Sequence, residues 1–324
     1  MHEHPYSQLT PERVLDALGE AGLRPDGRLL SLNSYENRVY QAWLEDDTVV
    51  VAKFYRPGRW SDAQIDEEHE FARELAEREI PVIAPISSTK TGTDPIFRLA
   101  IYPRRGGRTP ELEDAKTLAW IGRFIGRIHA VGATRPFKTR EALTPRSFGE
   151  EPRAFLLASG FIPGDLLDAW KAVTAQALAG IAHCYRRAGA VRAIRLHGDC
   201  HIGNILWTDA GPHFVDLDDA RMGPAMQDLW MLLSGERTAM NVQLHHVLAG
   251  YEEFAEFDRR ELNLLEALRT LRLIHYSAWI ARRWDDPAFP AAFPWFNTQR
   301  YWQDRILELR EQIALMEEEP LRPA

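Results

Sequence analysis

At 324 residues, with 45% hydrophobic and 27% charged side chains, the chain has the length and composition of a globular protein with one large or two modest domains and an ample core. A net charge of −8 argues against a general nucleic-acid binder and against a polybasic membrane anchor, and fits a cationic or neutral partner. Cys184 and Cys200 are too few for a disulfide scaffold, the start MHEHPYSQLTPE lacks the basic flank and apolar core of an export signal, and nowhere do roughly 18 apolar residues run together, so a cytoplasmic chain that does not span a membrane is expected.

Leu9-Thr10-Pro11-Glu12 combines an N-cap threonine with proline at the first helical position and predicts a packing helix to about Gly22. From Leu29 the pattern alternates through Leu30, Leu32, Val39, Gln41, Trp43 and then Val49 to Tyr55, which predicts three antiparallel strands. Asn33-Ser34-Tyr35-Glu36-Asn37 turns between the first two and contains no glycine. Lys53 lies in Val49-Val50-Val51-Ala52-Lys53-Phe54, a run apolar enough to be buried on both faces, and a buried lysine needs a carboxylate or a phosphate. The alternative is an edge-strand lysine facing solvent.

A helix is predicted over about Ser61 to Arg78, with Asp62, Asp66, Glu67, Glu68 and Glu70 clustered early. Most of these acids are a solvated face favoured near a helix N-terminus, and one should pair with Lys53. The spacing of Ile65, Phe71 and Leu75 puts Glu68 nearest the buried side, with Glu67 the runner-up. Ile80-Pro81-Val82 ends the helix, Ile83 to Arg98 reads as a further hairpin, and Leu99 to Pro103 as a last strand and hinge. Arg104-Arg105-Gly106-Gly107-Arg108 reads as a solvated connector. Leu118, Ile121, Ile125 and Ile128 then repeat at helical spacing through His129, and Phe155 to Arg187 predicts one or two more helices broken near Gly160-Gly164.

RLHGDCHIGNILWTDAGPHFVDLDDA follows, with a His-x-Asp, an Asn five residues beyond that Asp, and an Asp twelve residues after the Asn. These are parts for phosphoryl transfer. Moving a γ-phosphoryl group gathers negative charge on its oxygens, so the site needs divalent cations, hard oxygen ligands and one carboxylate to orient the acceptor hydroxyl. Asp199 is placed to be that carboxylate. Asn204 offers a neutral amide oxygen to Mg²⁺, and Asp216, at a strand end, can bridge the metal and the β/γ-phosphates. Ile205-Leu206-Trp207 and Phe214-Val215 predict a hairpin, turned by Asp209 to Pro212, that folds Asp216 back toward Asn204. After Gly223-Pro224 comes a helix holding Asp228 to Leu233, and from Leu244 to Glu318 several more, including Glu261 to Arg283 and a last one from about Gln299. The aromatic and proline-rich stretch Trp284 to Phe296 reads as a structural cap, with an acceptor groove as the alternative.

HGDCHIGN followed by VDLDDA resembles the signature of the aminoglycoside phosphotransferase and choline kinase-like branch of the protein-kinase-like fold. SLNSYENRVYQ, VVAKFYRPGRW, EEHEF, HGDCHIGNILW and FVDLDDARMGPAMQDLWMLL together resemble, more narrowly, the stress response kinase A family of bacterial Ser/Thr protein kinases. The resemblance implies a bilobal α+β fold, with an N-lobe over 1–103 built on a small antiparallel sheet and a helical C-lobe over 104–324. It implies ATP and Mg²⁺ in the cleft, Lys53 with Glu68 on the α/β-phosphates, Asn204 and Asp216 on the metal, and Asp199 as the catalytic carboxylate beside Asp216. Ser34 falls in the phosphate-covering loop and is a candidate phosphate contact, against a plain polar turn. Ile101 and Tyr102 fall at the hinge that reads adenine. Asp228 and His197 would hold the catalytic loop, His201 is close enough to Asp199 to touch substrate, and Asp219 is either a further metal contact or a loop stabiliser. The implied partner is a protein Ser or Thr hydroxyl, phosphorylated by a monomer that also phosphorylates itself in a stress response. Two alternatives stay open: a small-molecule kinase for an amino alcohol, aminoglycoside or homoserine-like hydroxyl, and a nucleotide-binding regulator without turnover.

Overall fold

Thr10 accepts the Arg13 N–H at 3.3 Å, Pro11 takes the first helical position, and α1 (Pro11–Glu20) buries Val14, Ala17 and Leu18. The computed structural model describes residues 4–92 and 95–323. Alternating segments β1 (Pro25–Ser31), β2 (Arg38–Leu44), β3 (Val49–Phe54), β4 (Ser87–Lys90) and β5 (Arg98–Pro103) form one antiparallel sheet in the order β1-β2-β3-β5-β4.

The side-chain period of two divides that sheet. Val50, Ala52 and Phe54 of β3 and Leu99 and Ile101 of β5 join the core under α1. Tyr55, Ala100 and Tyr102, with Lys53 two residues before Tyr55, turn the other way, where α2 (Asp62–Glu77) covers them through Ile65. Ser61 and Gln64 close a reciprocal capping box at the start of α2.

The region between α2 and β5 departs from expectation. It holds one strand, β4, which pairs antiparallel with β5 itself; residues 93 and 94 lie outside the described residues. The apolar stretch at Pro81-Val82-Ile83 is instead used by the later hairpin. Phe214 donates its N–H to the Pro81 carbonyl at 2.7 Å, and its own carbonyl accepts the Ile83 N–H at 3.0 Å.

Beyond β5 the chain is mainly helical: α3 (Ala115–Gly132), α4 (Glu151–Ser159), α5 (Leu167–Ala188), α6 (Met226–Trp230), α7 (Arg237–Tyr251), α8 (Leu265–Ala281), α9 (Ala288–Ala292) and α10 (Gln299–Glu317). Two short ribbons sit among them, β6 (Ile194–Leu196) with β9 (Arg221–Gly223), and β7 (Ile205–Thr208) with β8 (Gly211–Phe214). Helices α3 and α7 cross backbone against backbone. A Cβ at Gly122 would stand 2.0 Å from the Val247 carbonyl oxygen, and one at Gly250 1.9 Å from that of Ala119. Helix α6 is shorter than the predicted Asp228-to-Leu233 helix, and a 3-10 turn over Arg259–Leu264 precedes α8, where a continuous helix from Glu261 is predicted. Buried Glu261 accepts the Met226 N–H at 2.8 Å, so this turn caps α6 rather than extending α8.

Ion pairs fasten the glycine-free turn to the helical part. Buried Glu36 faces Arg56 at 3.0 Å and Arg283 at 2.6 Å, while Asp286 takes Arg38 at 2.9 Å and Arg56 at 2.5 Å. Asn37 donates to Asp218 at 3.1 Å and accepts the Arg56 N–H at 3.1 Å. Charged and amide side chains thereby fix a backbone path that many phosphate-covering loops obtain from glycine. The Trp284 to Phe296 stretch is a cap: Phe289 and Phe296 are fully buried against Trp302 and Trp170 in a second core. Among the described residues no helix is long and apolar enough to cross a membrane.

Candidate active site

Leu196 ends β6, and the next three residues are shaped by glycine and a buried carboxylate. Gly198 has φ +87°, and a Cβ there would stand 2.1 Å from the Asp219 carbonyl oxygen, so only glycine fits. Asp228 accepts the N–H of His197 and of Gly198, each at 2.8 Å, and lies 2.9 Å from His129 Nε2. Burial would raise the Asp228 pKa, but the His129 hydrogen bond and the charges and N–H groups around it hold it below the usual carboxylate range. His197 Nε2 meets the Val215 carbonyl at 2.9 Å and ties this loop to the residue before Asp216. Asp228→Ala therefore strips two loop N–H groups and a buried histidine of their acceptor and should destabilise the protein by about 3 kcal/mol, read by urea denaturation. An unchanged midpoint would mean that the loop is held by something else.

Asp199 lies past that clamp. Its Oδ1 accepts a hydrogen bond from Arg272 of α8 at 2.6 Å, and its Oδ2 is 3.5 Å from His201 Nε2. Asn204 donates its side-chain N–H to the Asp199 carbonyl at 2.9 Å, which leaves its Oδ1 as the atom for a cation. Its own carbonyl accepts the Val215 N–H at 3.0 Å. The β7–β8 hairpin thus brings Asn204 to the strand end that precedes Asp216. Asp216 itself adopts φ 60°, ψ 66°, a left-handed backbone unusual for a residue with a Cβ, with its carboxylate half-exposed.

Lys53 Nζ is 2.8 Å from Asp216 Oδ1 and 3.4 Å from Asp218 Oδ1. Burial would lower its pKa, but Asp216, Asp218 and Glu68 hold it well above the ordinary lysine value, so it is an ammonium. The expected Lys53–Glu68 ion pair is not formed. Arg140, from the segment between α3 and α4, reaches Glu68 at 3.1 Å with its side chain wholly buried, and the Tyr55 hydroxyl donates to Glu68 at 3.2 Å. Burial pushes the Glu68 carboxyl up to about 7 against the opposing charges of Lys53 and Arg140. Glu68 is thus a neighbour of Lys53 with a different partner. Glu67, the runner-up, accepts the N–H groups of Lys138, Thr139 and Arg140 and fixes the segment that carries Arg140.

Of the two hinge candidates, Ile101 turns its side chain into the core. It is 1% exposed under α1, and its carbonyl accepts the Ile86 N–H at 2.8 Å inside the sheet. Tyr102, one residue on, faces the opposite side, its hydroxyl 3.1 Å from that of Tyr55, whose ring centroid lies 4.8 Å from Lys53 Nζ. Ser34 is half-buried in the pinned turn. Asp219 lies between Arg59 at 2.8 Å and Arg221 at 2.5 Å, which suits loop stabilisation. Arg59 also pairs with Asp218.

Sequence reasoning missed Arg272, Arg140, Arg59 and Asp218. Arg272 and Arg140 lie on distant elements outside any motif, while Arg59 in VVAKFYRPGRW and Asp218 in VDLDD sit among like residues with no local mark of their partners. Among the described residues no group of three or more His, Cys, Asp or Glu is arranged to hold a metal unaided. Asn204 and Asp216 fit a cation of the kind that takes one or two protein oxygens and completes its shell with phosphates and water.

Residues 28–265 match the phosphotransferase enzyme family (APH). Stress response kinase A of Salmonella choleraesuis (strain SC-B67) is 46% identical over 98% of this chain and 96% of its own length. A protein of Salmonella typhimurium (strain LT2) named serine/threonine protein kinase RdoA is 45% identical over the same shares. In fold, the chain is similar to amicoumacin kinase hAmiN in complex with AMP-PNP, Ca²⁺ and Ami, with TM-score 0.72, 19% identity and 94% of both chains covered.

Proposed function

The chain belongs to the phosphotransferase enzyme family, and within it to the stress response kinase A group, and from that membership we propose that it is an ATP- and Mg²⁺-dependent Ser/Thr protein kinase. The observation that carries the proposal is the juxtaposition of Lys53 with Asp216, at 2.8 Å, and of Asn204 with both the Asp199 carbonyl, at 2.9 Å, and the residue before Asp216, at 3.0 Å. The Lys53 ammonium holds the α/β-phosphates of ATP, exchanging part of its contact with Asp216 and Asp218 for phosphate oxygens. Asn204 and Asp216 hold Mg²⁺, which neutralises charge on the phosphate oxygens when bound. Tyr102 walls the pocket behind Lys53 and Ser34 contributes a phosphate contact, while Glu68 shapes the same pocket electrostatically. Asp199 orients the acceptor hydroxyl and takes its proton as the new O–P bond forms and the bond to the β-phosphate oxygen breaks, releasing ADP.

The protein acceptor is supported by the name of the Salmonella typhimurium relative, serine/threonine protein kinase RdoA, at 45% identity over nearly the whole chain. The fold neighbour named as an amicoumacin kinase favours a second reading, transfer to a small hydroxyl compound. We further place the lobe boundary after Pro103, where the sheet ends, and the working protein in the cytoplasm as a monomer. The two cysteines are free and buried, which suits a reducing compartment. Labelled ATP offered with generic protein substrates, with the chain itself, and with amino alcohols and aminoglycosides tests the acceptor. Label on protein Ser or Thr is the expected result. Label on free small molecules alone would overturn the protein reading and leave the phosphotransferase intact.

A further inference from the structure

Arg272 joins Asp199 to a cavity of about 480 Å³ lined by Trp230, Arg269, Arg272, Leu273, Tyr276 and Gln312. The cavity is therefore linked, through one side chain, to the carboxylate that receives the acceptor hydroxyl in the proposed reaction. Two of its six lining residues are cations, and none is an anion. Arg269 has structural duties: it lies over the Trp230 ring, 3.3 Å from Glu266, and donates to the Leu233 carbonyl. Arg305, whose charge also reaches Tyr276, is paired with Glu308. Arg272 differs from both, because its carboxylate partner is Asp199 itself, the group that must turn to a hydroxyl during transfer.

That arrangement has a charge consequence. When Asp199 takes the acceptor proton, a partly buried guanidinium loses some of its anionic partner, and a replacement anion restores the pairing. The net charge of −8 fits a cationic or neutral partner, but the charged side chains that line this cavity are both arginines. We propose that this cavity reads an acceptor bearing a carboxylate or phosphate close to its hydroxyl, with Arg272 as the specificity-determining contact. In a protein acceptor this is a Ser or Thr flanked by acidic residues. The proposal rests on the phosphotransferase reading and deepens it.

The test uses the full-length protein with end-blocked peptides that differ only in flanking Glu, Gln or Lys around one Ser, beside free hydroxy acids and amino alcohols. Wild type should phosphorylate the Glu-flanked peptide with a kcat/KM about tenfold or more above the Gln-flanked one, the scale of one charge-assisted hydrogen bond. Arg272→Lys should keep the direction of the preference, and Arg272→Glu should turn it toward the Lys-flanked peptide, largely through KM. Indifference of the wild type to flanking charge, a wild-type preference for Lys or for amino alcohols, or an unaltered preference in Arg272→Glu would each overturn the proposal. Silence on every peptide with turnover of hydroxy acids over amino alcohols would sink the protein-kinase reading and uphold the anionic acceptor. Silence on all acceptors would sink both.

Discussion

Asp199→Asn is expected to lower phosphate transfer by about 10²- to 10⁴-fold, the range for removing one positioned acid–base group, while nucleotide affinity stays within about twofold of wild type. The separation follows from the geometry. Asp199 contacts Arg272 and His201 but neither Lys53 nor Asp216. Its loop is held by the backbone bonds to Asp228, which the substitution leaves in place. Asparagine keeps the shape and an acceptor for Arg272 but cannot take the hydroxyl proton. Turnover with labelled ATP, paired with calorimetric nucleotide binding, reads the two quantities independently. Full retention of transfer would remove Asp199 from the chemistry. Equal silence of wild type and variant, with nucleotide bound by both, would point to a regulator without turnover.

Asp216→Asn should have an effect of similar size by a different route, a loss of about 10³-fold in turnover accompanied by loss of the metal dependence of nucleotide binding. Asparagine is the informative replacement because it tolerates the left-handed backbone that Asp216 adopts, so strain is not changed along with charge. Wild type should bind nucleotide more tightly with Mg²⁺ than without; the variant should bind it about equally in both. Lys53 keeps Asp218 as a partner, so the buried ammonium is not stranded. A variant that still gains affinity from Mg²⁺ would show that the cation is held elsewhere.

Much of the frame was legible in the sequence because it depends on short-range patterns. The N-cap at Thr10, the helix beginning near Ser61, the alternation in β3 and the β7–β8 hairpin are local signals, and each formed where its residues indicate. Asp228 as the loop clamp was also foreseen, and its two bonds to His197 and Gly198 match that expectation. The charge partners were not legible. Helical spacing placed Glu68 on the buried side, correctly, yet nothing local says that Arg140, seventy-two residues away, neutralises it and leaves Lys53 to Asp216 and Asp218. Strand alternation separates the two hinge candidates, Ile101 facing the core under α1 and Tyr102 the opposite side, so of the two only Tyr102 can offer its side chain to the Lys53 side of the sheet. The region before β5 was over-divided because an apolar run that suits a strand was drawn into bonds with Phe214 of the later hairpin. Arg272 could not be found from sequence, since helix α8 carries it among residues that read only as core and surface.

The most direct measurement is the anomalous signal of Mn²⁺ in crystals grown with a non-hydrolysable ATP analogue. The predicted result is a manganese ion about 2.1 to 2.2 Å from Asn204 Oδ1 and an Asp216 carboxylate oxygen, with Lys53 on the phosphates and Asp199 clear of the metal. A metal seated on Asp218 and Asp219, or a nucleotide whose phosphates avoid the space between Lys53 and Asn204, would contradict the account.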